Sequence, residues 1–217
     1  MQGVDAYIVE RLLDSDPILE AALARNAAAG LPPIDVSATQ GKMLHLLARM
    51  AGARRILEVG TLGGYSTIWL ARALSPEGRL ITLELDPHHA EVARANIAAA
   101  GLADCVEVHT GAAIGTLDAM IAANEPPFDL VFIDADKESN VAYVKAALAL
   151  SRPGTTIIVD NVVREGGVVD SDSDDPRIRG TRALFDAVAA EPRLDATAVQ
   201  TVGAKHWDGF LLAIVSG

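Results

Sequence analysis

The segment 55–65, RILEVGTLGGY, decides the fold. Ile56, Leu57 and Val59 are apolar and partly β-branched, the pattern of a buried strand. Gly60, Gly63 and Gly64 follow at once, and Ser66-Thr67-Ile68-Trp69-Leu70-Ala71 reads as a helix. Strand, glycine turn and helix in that order open a nucleotide-binding α/β unit. The plainer alternative is a glycine turn that only lets the helix pack on the strand. The one acidic residue in the strand, Glu58, stands two positions before the turn. A carboxylate there repels a dinucleotide pyrophosphate and suits a ligand carrying an ammonium group. The glycines are also spaced GxxGG, not GxGxxG. The stretch therefore points to a nucleoside-type cofactor without phosphates, S-adenosylmethionine (SAM).

Downstream, strands and helices alternate. A helix over 65–74 leads through Ser75-Pro76-Glu77-Gly78 to a strand over 80–85. Asp86 caps a helix over 87–100 that has Pro87 at its first position. A strand over 105–109, a helix over 113–123, a strand over 128–134, a helix over 139–150 and a strand over 155–160 follow. This alternation implies a parallel sheet covered on both faces. A polar loop, 162–176, carries the acidic run Asp170-Ser171-Asp172-Ser173-Asp174-Asp175 and reads as a solvated face. A helix over 177–190 and two strands, 196–201 and 210–215, finish the chain. Their short connection through Lys205-His206-Trp207-Asp208-Gly209 makes them antiparallel to each other. Trp207 reads as core packing, with a site wall as the alternative.

Upstream, residues 4–29 read as one or two helices, with Pro17 able to open the second. Leu31-Pro32-Pro33 interrupts them. Ser37 then caps a helix, and Gln40 stands three residues on as in a capping box. Met43, Leu44, Leu46 and Leu47 give that helix an apolar face, and His45 on it reads as structural.

The chain has 217 residues, half of them hydrophobic, which suits one sizeable domain over 1–217. No run of 18 apolar residues is present, so no membrane span is expected. The first residues lack the basic start and apolar core of a signal peptide, and the single cysteine fits a reducing compartment, so a cytoplasmic protein is expected. Cys105 reads as a small buried hydrophobe on a strand. A net charge of −11 with four lysines argues against a nucleic-acid partner.

Ligands of such sheets collect at the carboxyl ends of the strands, and acidic residues gather there. Glu84 lies 24 residues after Gly60, where a carboxylate accepts hydrogen bonds from ribose hydroxyls. Asp86 is the neighbour already used as a helix cap. Asp134, Asp160 and Asn161 end the next two strands. Two carboxylates on neighbouring strands, roughly 5 Å apart, repel unless a cation lies between them or one is protonated. With the Asn161 amide they form an all-oxygen set that selects Mg²⁺, Mn²⁺ or Ca²⁺. Ordinary turn and cap roles for these residues remain the alternative. Lys137 stands one turn from Asp134. Beside a divalent cation its ammonium is disfavoured, so it can act as a base.

Together LEVGTLGGYS, LELD, FIDADK and VDN resemble, in order, the motifs of the cation-dependent O-methyltransferase family, which includes the catechol and caffeoyl-CoA O-methyltransferases. The similarity runs from about Val36 to the C-terminus. It implies a Rossmann-like SAM-binding sheet of seven strands, the last inserted antiparallel, with helices on both faces. It implies SAM contacts at Val36, Glu58, Gly60, Ser66, Glu84 and Ala113. A metal, Mg²⁺ first, would be held by Asp134, Asp160 and Asn161, with Asp134 facing both metal and cofactor and Lys137 as general base. The acceptor implied is a small hydroxylated aromatic molecule with vicinal oxygens. Residues 1–50 would cover the site and offer a homodimer contact. The chain departs from the family in having Gly41-Lys42 where Gly-Gln is common, and in its acidic loop after Asn161. Rival readings are methylation of a hydroxylated uridine in tRNA, a nicotinamide-dependent oxidoreductase, and a non-catalytic SAM-binding module.

Overall fold

Five parallel strands form where the apolar runs occur: β1 (Arg55–Val59), β2 (Arg79–Glu84), β3 (Val106–Thr110), β4 (Phe128–Ile133) and β5 (Ser151–Asp160). The computed structural model describes residues 2–203 and 205–217; Met1 and Ala204, part of the domain expected over 1–217, lie outside the described residues. Strands β6 (Leu194–Gly203) and β7 (His206–Val215) complete a seven-stranded sheet in the order β3-β2-β1-β4-β5-β7-β6. Strand β7 runs antiparallel to both neighbours. The order reverses between β1 and β4, which opens a crevice above their carboxyl ends.

Alternation along the strands supplies two cores, one on each face. Leu57, Val59, Val131 and Ile133 meet α6 (Ala113–Ala122), α7 (Asn140–Ala149) and α8 (Pro176–Ala189) through Leu117, Val144 and Leu184. Ile56, Leu130, Phe132 and Ile158 meet α2 (Pro17–Ala28), α3 (Ala38–Met50) and α4 (Tyr65–Ala71) through Leu19, Leu44 and Ile68. Helix α5 (Pro87–Ala99) packs beside α2 and α4. Helix α1 (Gln2–Leu12) lies across the end of α3 and β6. No helix among the described residues is long and apolar enough to cross a membrane.

The N-terminal region forms two helices, and Asp16 caps α2 by accepting from the Ile18 and Leu19 amides at 3.1 Å. Asp86 caps α5 through the His88 amide at 2.8 Å. His45 is structural, with Nδ1 3.1 Å from the Trp69 carbonyl.

Several local expectations need correction. The capping box is only half made: Ser37 Oγ accepts from the Gln40 amide at 3.2 Å, but the Gln40 side chain points elsewhere. The helix expected over 65–74 ends at Ala71, and the one expected over 139–150 opens with a 3₁₀ turn, Lys137–Ser139. Cys105 lies just before β3, half-buried, with Sγ 3.4 Å from the Leu102 carbonyl. The loop 162–176 contains a 3₁₀ segment, Arg164–Val169. Strands β6 and β7 pair as far as Gly203 and His206, so their hairpin stands beyond the sheet. Trp207 sits on that projection, 42 % exposed, its Nε1 donating to Gln200 Oε1 at 3.0 Å; it is not core.

Candidate active site

Gly60 has φ +98, and a Cβ there would overlap the Asp134 carbonyl. The close approach that only glycine permits brings the β1 turn against the end of β4. The Asp134 amide also donates to the Val59 carbonyl at 2.8 Å. On the other side of the turn, Glu84 Oε2 accepts from the Thr61 and Leu62 amides at 3.2 and 2.7 Å. Its Oε1 accepts from the Asp86 amide at 3.0 Å, and its carbonyl takes the Gly111 amide at 2.8 Å. Glu84 thus ties the ends of β2 and β3 to the glycine turn. Ala113 begins α6 two residues after Gly111.

Glu58 is fully buried beneath the turn. Ser66 Oγ donates to its Oε1 at 2.6 Å; Thr67 Oγ1 and Thr82 Oγ1 donate to Oε2 at 2.5 and 2.7 Å. Burial pushes the carboxyl up to about 7, against the pull of the three hydroxyls. The residue predicted to face a ligand therefore faces the first turn of α4, and Ser66 is its nearest route to one. Thr67 and Thr82 escaped sequence reading because nothing local marks a hydroxyl that answers a carboxylate across strands.

Asp134 and Asp160 follow the paired residues Ile133 and Val159 on adjacent parallel strands. Lys137, 7 % exposed, donates from Nζ to Asp134 Oδ1 at 2.9 Å. It is held there by α8: a Cβ on Gly180 would overlap the Lys137 carbonyl, so the helix backbone lies directly on the 3₁₀ turn. Asp160 is 4 % exposed. Burial drives its carboxyl well above the usual carboxylate range and the charge of Asp134 adds to this, while Lys137, the Asn161 amide and Gln40 oppose it. Asn161 takes a left-handed φ of +58, a conformation asparagine tolerates, and its amide donates to Asp160 Oδ1 at 2.8 Å.

Gln40, assigned to a cap, crosses from α3 to donate Nε2 to Asp160 Oδ2 at 2.6 Å. Both are among the residues lining a cavity of about 360 Å³, with Ile8, Met43, Asn161 and Phe210 among its other walls. Val36, buried, precedes the α3 cap on the same side. A larger hollow of about 640 Å³ lies at Arg49, Arg54 and Glu77, by the amino ends of β1 and β2 and remote from these groups.

Among the described residues no three His, Cys, Asp or Glu side chains gather as metal ligands. The predicted set, two carboxylates and an amide, is of a different composition and does fit a hard divalent cation. Its donors are all oxygen, and Asp160 is a buried carboxylate facing a second one.

A sheet of this order with its reactive groups on the β1/β4 rim is that of a Rossmann-like methyltransferase. Residues 10–214 match the model of a family described as O-methyltransferase, and the chain belongs to that family. It is 56% identical over 212 residues to a catechol O-methyltransferase of Mycobacterium tuberculosis, covering 98% of this chain and 94% of that one. A catechol O-methyltransferase of Niastella koreensis is 50% identical, covering 99% and 97%. The O-methyltransferase of Bacillus cereus, solved in complex with SAH, superposes with a TM-score of 0.98 at 56% identity over 99% of this chain and 98% of that one. The family overturns the nicotinamide-dependent reading, which had only the acid at Glu84 in its favour.

Proposed function

We propose that the protein transfers a methyl group from SAM to one hydroxyl of a small vicinal-dihydroxy aromatic molecule, a catechol, with a divalent cation, Mg²⁺ before Mn²⁺ or Ca²⁺. The observation that carries the reading is the pair Asp134 and Asp160, side by side at the ends of β4 and β5, with Lys137 on the first and an open cavity at the second. The names of the relatives and the SAH of the Bacillus cereus structure support it.

In this reading Gly60, Glu84 and Ala113 bound the donor, with Glu84 accepting from its ribose hydroxyls. Val36 closes the opposite side. Glu58 acts through Ser66, whose hydroxyl it orients. Asp134, Asp160 and Asn161 would hold the cation, whose charge would lower the pKa of a phenol beside it. Asp134 is also the partner of Lys137. A cation held at that carboxylate would disfavour the neighbouring ammonium, and Lys137, once its own proton has gone to solvent, would take the acceptor's proton at Nζ. The phenolate oxygen then attacks the methyl carbon in line. The O–C bond forms as the C–S bond breaks, the sulfonium and phenolate charges cancel, and the proton leaves through Lys137. Because charge is lost along the path, walls such as Met43, Ile8 and Phe210 that exclude water favour it.

The cavity's size suits one ring with a modest substituent, and the net charge of −11 disfavours tRNA. The proposal extends to a cytoplasmic homodimer, supported by Val4, Tyr7 and Leu12, each more than half exposed on α1. The test is a methyl-transfer screen over catechols, caffeoyl esters, flavonoids and tRNA, with and without Mg²⁺. Turnover of catechols that EDTA abolishes, and that Asp160→Ala abolishes while SAM still binds, is the expected result. Full activity in EDTA rejects the cation, and transfer to tRNA alone rejects the acceptor.

A further inference from the structure

The turn that carries Gly60 is gripped from outside by a chain of amides. Asn96 on α5 is 1 % exposed, and its Nδ2 donates both to the Gly63 carbonyl and to Asn26 Oδ1, each at 2.8 Å. Asn26 on α2 is 2 % exposed, and its Nδ2 donates to Asp35 Oδ1 at 2.9 Å. At the other end Arg25 donates from its guanidinium to Asn96 Oδ1. The run therefore begins at a cation and ends at a carboxylate, with the two amides aligned between them. Each amide can face only one way, since reversing either would turn its NH₂ toward a donor or its oxygen toward an acceptor.

The packing is as restrictive as the bonding. A Cβ on Gly63 would overlap the Asn26 amide, so the second glycine of the motif leaves room for that side chain. The same residue, Asn26, reaches Asp35, the neighbour of Val36. His88 adds a tie between the same elements, with Nε2 3.0 Å from the Ala29 carbonyl at the end of α2. One buried side chain thus touches the glycine turn on one side and the segment leading to Val36 on the other.

We propose that Asn26 and Asn96 are positioning residues for the methyl donor: their amide chain sets the spacing between the Gly60–Gly64 turn and Val36, the two walls between which the donor sits. The proposal rests on the reading of that turn as the donor site. It makes α2 part of the binding machinery though none of its side chains is assigned to the donor. A buried, fully paired amide chain is suited to this, because it resists sliding in a way that apolar packing does not.

The test is calorimetric titration of SAH into the wild type, Asn96→Leu and Arg25→Met. Asn96→Leu keeps the volume and removes every hydrogen bond; Arg25→Met removes only the outermost donor and leaves both amides in place. The expected result is SAH bound about tenfold more weakly by Asn96→Leu and a few-fold more weakly by Arg25→Met. The KM for SAM should rise in step, while kcat at saturating SAM and the acceptor KM stay near wild type. Loss of folded protein alone would lower kcat and leave the KM for SAM unmoved. An SAH affinity within twofold of wild type in Arg25→Met, or in a folded Asn96→Leu, overturns the proposal. Glu84→Gln is read beside them. If it binds SAH as wild type does, the donor site itself is misassigned; if it loses SAH while the other two keep it, only the amide chain's role falls.

Discussion

Gln40 Nε2 lies 2.6 Å from Asp160 Oδ2, joining the first turn of α3 to the end of β5. With the Asn161 amide on Oδ1, both oxygens of the buried carboxylate are oriented by a hydrogen bond. If Asp160 holds a cation as proposed, losing a group that orients it typically costs about 10–100-fold in metal affinity. Gln40→Met, which keeps the length and loses the donor, is expected to weaken cation binding by about tenfold. Titration of Mn²⁺ into the protein followed by electron paramagnetic resonance reads this without turnover. An unchanged affinity would show that Asp160 needs no help from α3.

Lys137 is buried and its Nζ donates to Asp134, so its role separates cleanly from substrate binding. Lys137→Met is expected to lower kcat by roughly 10²-fold or more, in the range of general-base losses, with the acceptor KM changed far less. A variant that raises KM alone would assign the lysine to binding instead.

Much of this arrangement was legible in the chain and some was not, for reasons that differ by residue. Glu84, Asp134, Asp160 and Asn161 stand at strand ends, and strand ends can be located from apolar runs bounded by glycine and acid residues. The β6–β7 hairpin was read too short, at 196–201 and 210–215, because it stands clear of the sheet. Eight of the ten β6 residues from Leu194 to Gly203 are exposed and the two ends only partly buried, which leaves no buried-face alternation to detect. Strand β5 begins at Ser151 and runs through Pro153 and Gly154, residues that ordinarily end strands; the register shift near Phe128 absorbs them. Gln40, Asn26 and Asn96 act across 120 and 70 residues of sequence, and no local pattern encodes a polar contact at that range.

Gly180 lies on α8, far along the chain from the rim, yet it controls where Lys137 sits. A Cβ there would meet the Lys137 carbonyl and, at 2.8 Å, Glu138 Cα, both backbone atoms that cannot rotate away. Gly180→Ala is therefore expected to displace the 3₁₀ turn and lower kcat about tenfold or more, while SAH binds as before. Calorimetry with SAH beside steady-state kinetics checks both halves. Unchanged kcat would mean the turn yields without moving Nζ.

Glu58 connects the same rim to stability. Its carboxyl titrates at about 7 in the fold against 4.5 when solvated, because full burial outweighs the hydroxyls of Ser66, Thr67 and Thr82. The folded state then holds this proton more tightly than the unfolded state does. Stability is greatest while the group is protonated in both, below about pH 4.5, and is lost progressively as pH rises through about 7. The shift corresponds to a loss of about 3 kcal/mol from this group. Glu58→Gln removes the titration and keeps the shape, so the difference in unfolding free energy between variant and wild type should move toward the variant across that window and level off above it. Urea denaturation at pH 5, 6, 7 and 8 measures the difference directly, and other titrating groups cancel in the comparison. A difference that stays flat from pH 5 to 8 would mean that Glu58 remains ionised throughout, stabilised by its three hydroxyls more strongly than burial opposes it.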